Sequence, residues 1–186
     1  MPEYNQNVVK GTVGMERFGF IHEKLDIKIL ILYILRRLPA EVDAETLAQL
    51  TLFDDGISYF DYSDCLAELS KTEHLEQGET GIRITEKGER NGSTIENSLP
   101  YSVRKKADSL IAPVAAKLRR NSMIGTSHKI DEQGGVKVAL SLEDGMGEII
   151  NMSLLVPDEE LAIKIEKNFR GKAEKIYNAI VDILSE

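Results

Sequence analysis

"LAELSKTEHLEQGETGIRITEKG", residues 66–88, changes its hydrophobic period within 23 residues. Leu66 and Leu69 stand at helical spacing. Leu75, Ile82 and Ile84 then alternate with polar residues around a glycine-bearing turn, the signal of a hairpin with one buried face. Thr85, placed before Glu86 and Lys87, suits the N-cap of a following helix. The stretch predicts the end of one helix, a two-stranded hairpin and the start of another helix.

Working backwards, Tyr59 to Thr72 forms a helix with an inside and an outside. On a wheel of about 100° per residue, Tyr62, Cys65, Leu66 and Leu69 share one face, and Asp61, Asp64, Glu68 and Lys71 share the opposite one. Before it, "DAETLAQLTL" opens on Asp43 as N-cap and carries Leu47, Leu50 and Leu52 as its apolar side. Earlier still, Leu25 to Leu38 is apolar almost all round, so it predicts a helix buried on more than one side, ended by Pro39. Three helices, a hairpin and a helix are the order of a winged helix-turn-helix, expected over residues 20–99. Residues 1–19 are polar, lack a sustained period and read as a disordered tail. After the hairpin, Gly88 and Gly92 weaken the helix begun at Thr85.

Residues 100–186 read as a separate α+β domain, for dimerisation or sensing. Tyr101 to Arg120 predicts two helices or one kinked helix, because Pro113 interrupts it. Three strand-like runs follow: "MIGTSHKI", "VKVALSL" and "EIINMSLLV". Val136, Val138, Leu140 and Leu142 alternate with polar or small residues, as do Ile150, Met152, Leu154 and Val156. With the short turns "DEQGG" and "EDGMG" between them, they predict a three-stranded antiparallel meander with one buried face. Asp158 caps the last helix, whose stripe of Leu161, Ile165, Phe169, Ile176, Ile180 and Leu184 should cover that sheet. The fold class expected is α+β.

Composition narrows the chemistry. The 186 residues are 42% hydrophobic and 29% charged, enough for a true core. The formal net charge of -8 means that any contact with phosphate needs a local basic patch. A single cysteine, Cys65, rules out an intramolecular disulfide and suits a reducing cytoplasm. The longest apolar run, Ile29 to Leu35, is far short of a membrane span, and the first twenty residues do not read as a secretory signal.

Several phrases together carry a family resemblance: "KILILYIL" at residues 28–35, "YFDYSDCLAEL" at 59–69, "ITEKG" at 84–88, "KLRRNS" at 117–122, and "LLVPDEELAIKIEKNFRGKAEKIYNAIVDIL" at 154–184. From about residue 20 to residue 186 the chain resembles the bacterial family catalogued as domain of unknown function 4364. The resemblance implies a winged-helix N-terminal half and a small α+β C-terminal half, and it implies no activity and no functional residues. Two departures stand out: a longer polar N-terminal tail, and an Asn91-Gly92 pair that interrupts the helix after the hairpin.

Two functions are expected. In the first, a transcription-regulator-like protein binds double-stranded DNA with the third helix and the hairpin. Lys71 and Arg83 would be its cations, and Tyr59, Tyr62 and Ser63 its uncharged contacts. In the second, the same fold is an interaction module whose acidic face, Asp61, Asp64 and Glu68, meets a basic protein partner. From Leu52 to Thr85 eight carboxylates face two cations, which favours the second; the usual role of the fold favours the first. The strongest cationic run is Arg104, Lys105, Lys106, Lys117, Arg119 and Arg120, opposed by Asp108 alone, a phosphate or partner contact if not simply a solvated face. An apolar first helix, larger than one small domain covers, predicts a homodimer.

Enzyme signatures are lacking, so no catalytic residue, cofactor or metal ligand is nominated. His22, His74 and His128 lack helical ligand spacing, and Cys65 falls on an apolar helix face. "GTVGMERFG" has no preceding strand and no Gly-Lys-Ser/Thr, and neither glycine-bearing turn has the ligands of a calcium loop.

Overall fold

The computed structural model describes residues 20–21, 23–131 and 134–186. The expected polar tail, the "GTVGMERFG" segment and His22 lie outside them. The chain is mixed α+β. Its elements are α1 (Lys24–Leu35), α2 (Ala44–Thr51), α3 (Tyr59–Lys71), β1 (Leu75–Gln77), β2 (Ile82–Ile84), α4 (Glu86–Ile95), α5 (Tyr101–Ser122), β3 (Ile124–Ile130), β4 (Val136–Glu143), β5 (Glu148–Val156) and α6 (Glu159–Ser185), with a short 3-10 turn, Glu96–Ser98, after α4. They divide into two compact units: residues up to Arg36 with Glu41–Asp108, and Arg37–Ala40 with Ser109–Glu186. The division falls inside α5, eight residues beyond Pro100. Pro113 lies within that continuous helix and removes the N–H that would bond the carbonyl of residue 109.

In the first unit, α1 is the core. Ile27 and every residue from Ile29 to Leu35 are buried, against α2, α3, α4 and β2. One chain therefore covers α1, and its apolar surface gives no ground for a dimer, a correction to the sequence argument. The caps fall where expected: Asp43 accepts from the Thr46 N–H at 2.7 Å and Thr85 from the Gly88 N–H at 3.1 Å. Ser58, unmarked in the sequence reading, caps α3 through the Asp61 N–H at 3.1 Å. At the far end of α3 the chain closes in a Schellman motif. The His74 N–H bonds the Leu69 carbonyl and the Glu73 N–H the Ser70 carbonyl, with Glu73 at φ 60 where glycine is usual.

β1 and β2 pair antiparallel, Leu75 opposite Ile84 and Glu76 opposite Arg83. Val42, just before α2, bridges Ile82 on the other side of β2 and adds a one-residue third strand. The expectation that Asn91-Gly92 interrupts α4 is overturned, since the helix runs through to Ile95. Its two glycines are points of close approach. A Cβ on Gly88 would lie 2.2 Å from the His74 carbonyl oxygen, and one on Gly92 would lie 2.8 Å from Arg36 Cδ. The space at Gly92 admits the Arg36 stem, whose guanidinium donates to Glu89 at 3.0 Å and Glu96 at 2.6 Å.

In the second unit the meander has order β3-β4-β5, all antiparallel. Val136, Val138, Leu140 and Leu142 all point into the core, under Ala162, Phe169 and Ala173 of α6. The outer end of the expected stripe is corrected: Leu161 is exposed and its neighbour Ala162 is buried, while Leu184 is 80% exposed. α6 is not one straight rod: Lys172, at φ -137 and ψ 17, kinks it, and from Val181 onward its residues are exposed.

His128 ties β3 to α6. Its Nδ1 lies 3.0 Å from Glu166 Oε1 and its Nε2 3.5 Å from Glu159 Oε1. The bond to Glu166 raises its pKa above the ordinary 6.5, burial opposes this, and Glu159 adds to the rise. A raised folded pKa gives stability that is fully present below the unfolded value and is lost as pH rises through the folded one. The second unit should therefore lose stability from about pH 6.5 upward, and His128→Gln should flatten that slope. Urea midpoints measured at several pH values check this; equal slopes for both proteins would remove the role assigned to the pair.

Candidate functional site

The surface of interest is formed by α2, α3 and the β1–β2 hairpin. It departs from the charge count of the sequence because at least five of the eight carboxylates are already engaged. Asp54 is buried and accepts from the N–H groups of Phe20 at 3.0 Å and Gly56 at 2.9 Å. Asp64 pairs with Lys24 at 2.7 Å. Glu68 pairs with Lys28, whose hydrogen bond holds that carboxyl below its ordinary range. Glu76 accepts from Arg83 Nε at 2.8 Å across the hairpin. Lys24 and Lys28 come from α1, more than twenty residues outside the counted stretch.

The acidic face is thus largely a seam between α3 and α1. Asp64 and Glu68 remain half in solvent with lysines beside them, and Asp61 accepts from the Ser58 hydroxyl at 2.6 Å. Of the five residues nominated for DNA, Tyr59 is exposed, Ser63 is partly exposed and Lys71 is exposed. Arg83 is exposed but bound to Glu76. Tyr62 is buried and is corrected as a contact. Burial pushes its phenol up to about 12, and its hydroxyl has no hydrogen-bond partner among the described residues. The solvent side of α3 instead presents Phe60, Asp64, Ala67 and Lys71, and Phe60 was missed because an aromatic beside Tyr59 and Tyr62 reads as core. Cys65 is buried, its thiol donates to the Lys24 carbonyl at 3.3 Å, and burial raises its pKa, as a packed apolar thiol requires.

The cationic run is divided between the two units. Arg104, Lys105 and Lys106 sit near the start of α5, in the first unit; Lys117, Arg119 and Arg120 sit near its end, in the second. Arg104 donates to Asn97 at 2.9 Å. Arg120 grips Glu174 with a fork of 2.6 and 2.7 Å and also donates to the Arg170 carbonyl. These two arginines hold structure within their own units.

Behind α3, a pocket of about 440 Å³ opens between α1, α3 and α4. Leu25, Ile29, Leu32, Leu69 and Ile95 line its apolar side. Its polar side is a hydrogen-bonded chain of Thr72, His74 and Asn91. The Thr72 hydroxyl donates to the Glu68 carbonyl at 2.7 Å and lies 2.9 Å from His74 Nδ1. The Asn91 amide then donates to His74 Nε2 at 2.8 Å. Burial, and secondarily Lys87, lowers the His74 pKa, which favours the neutral ring. The size and lining suit a mostly apolar small molecule. Among the described residues no group of three His, Cys, Asp or Glu side chains is placed to hold a metal ion, and no helix is long and apolar enough to cross a membrane.

A chain of two small units, one helical with a short hairpin and one a helix-covered meander, defines a mixed α+β protein. The chain belongs to the family described as a domain of unknown function (DUF4364), whose model matches residues 27–184. No curated protein and no solved structure matches it.

Proposed function

We propose that the first unit is a winged helix-turn-helix, of the kind used by bacterial regulators, that binds duplex DNA with α3 laid in the major groove. The observation that carries this reading is the pairing of Asp64 with Lys24 and of Glu68 with Lys28. It removes most of the repulsion that the bare α3 sequence would present to phosphate. The element order supports it too. Val42 adds a short third strand to the hairpin before α2 begins, and α3 leads directly into the hairpin through its Schellman close. Phe60, Ser63, Ala67 and Lys71 are the side chains offered to a groove, with Lys87 as a flanking cation. The acidic-face reading has less to stand on, because two of its three carboxylates already have lysine partners.

Selection from random duplex DNA at low and at physiological salt tests the proposal: a sequence motif should be enriched and should survive the higher salt. The double variant Asp64→Asn, Glu68→Gln frees two lysines. Its log affinity against log salt should steepen by up to about 1.8, at about 0.9 for each phosphate neutralised. Folding should be little affected, since exposed ion pairs contribute about 0–1 kcal/mol. Fluorescence anisotropy that finds no duplex binding at low salt for either protein would end this reading.

A further inference from the structure

Two features of the second unit coincide along β5. The first is an open edge: among the described residues β5 is hydrogen-bonded to β4 alone. Its nine residues, EIINMSLLV, hold a single charge, Glu148, at one end, and neither Lys nor Pro. Long edges in native proteins are generally blunted by charge, proline or a covering element. The opposite edge follows that rule. β3 carries Lys129, and Arg170 donates to the Ile124 carbonyl at 3.3 Å and to the Thr126 hydroxyl at 2.9 Å.

The second feature is the limit of the cover. α6 lies chiefly over β3 and β4. Val138 on β4 is 0% exposed, while Leu154, directly opposite it on β5 and on the same face, is 40% exposed. Ile150 and Met152 are only half-buried, while their β4 partners Leu142 and Leu140 are buried. Unpaired backbone and uncovered apolar side chains therefore lie on one strand.

We propose that a second copy of this chain docks on that edge, β5 against β5, joining two meanders into a six-stranded antiparallel sheet about a two-fold axis. Residues opposite each other in a ladder point to the same side, so only registers that set even-numbered residues against even-numbered ones keep the apolar faces together. Full overlap of the nine residues places Met152 opposite Met152 and Ile150 opposite Leu154. Each copy then continues the other's half-covered layer, and the contact is closed and self-complementary, as two-fold interfaces are. The strand joint alone falls short of the roughly 1,200–2,000 Å² of a stable interface. The strand leaves further apolar side chains in solvent to supply the rest, Ile149 and Leu155 among them.

The test uses the full chain. Light scattering at tens of micromolar should give a dimer mass. Met152→Cys should form a disulfide-linked dimer under mild oxidation; Asn151→Cys and Ser153→Cys report the neighbouring registers. Buried Cys65 remains in all three and serves as the control. Leu154→Lys, at a site already partly in solvent, should yield a monomer with an unchanged circular dichroism spectrum. A wild-type monomer overturns the proposal. So does a dimer that survives Leu154→Lys and cross-links at none of the three positions. No DNA enters these measurements, so their outcome is separate from that of the winged-helix reading.

Discussion

Replacing Phe169 by Ala is expected to cost the second unit about 3–5 kcal/mol, the usual range for an aromatic removed from a closed core. Phe169 is the largest fully buried side chain of α6, in one core cluster with Val138, Leu140 and the two α6 alanines, Ala162 and Ala173. A small domain has only about 5–15 kcal/mol in total, so the variant should lose much of its cooperative transition in urea. Leu184→Ala is the contrast: the same helix and a large apolar side chain, but one left in solvent, where a change of no more than about 0.5 kcal/mol is expected. Equal midpoint shifts for the two variants would mean that α6 does not cover the meander as described.

The same helix shows how far sequence reasoning reaches. Its length, its Asp158 cap and the alternation of β4 were legible, because each is local chemistry repeated over many residues. The exact face was not. A search for large apolar residues at helical spacing selects Leu161 and Leu184. The fully enclosed positions include Ala162 and Ala173, small residues that such a search passes over. The same blindness affected α4, where Gly88 and Gly92 read as weaknesses and are contact points with His74 and Arg36. For the candidate site the difficulty is distance along the chain. The partners of Asp64 and Glu68 are 40 residues away on α1, and His74 meets Asn91 across 17 residues. A count of charges within one stretch cannot register either.

Asp54→Ala is expected to destabilise the first unit by about 3 kcal/mol, taking about 1.5–3 kcal/mol for each good hydrogen bond to a charged group and allowing for the carboxylate's own desolvation. Counted from the sequence, Asp54 is one more negative charge on a surface facing DNA. In the fold it is buried and points away from solvent. One oxygen accepts the Gly56 N–H at 2.9 Å and turns the chain between α2 and α3; the other accepts the Phe20 N–H at 3.0 Å, and Ile21 N lies 3.5 Å from the first. Two segments more than thirty residues apart are thereby held by one side chain, and Ile21 is fully buried behind it. Alanine leaves those donors without partners in a place water reaches poorly. Asp54→Asn keeps one acceptor oxygen and should cost about 1 kcal/mol, the value of one neutral hydrogen bond. The order wild type, Asn, Ala in thermal or urea midpoints is the decisive reading. If Asp54→Ala instead leaves stability unchanged and strengthens DNA binding, then Asp54 acts as a surface charge after all, and the anchoring of residues 20 and 21 to the loop before α3 is refuted.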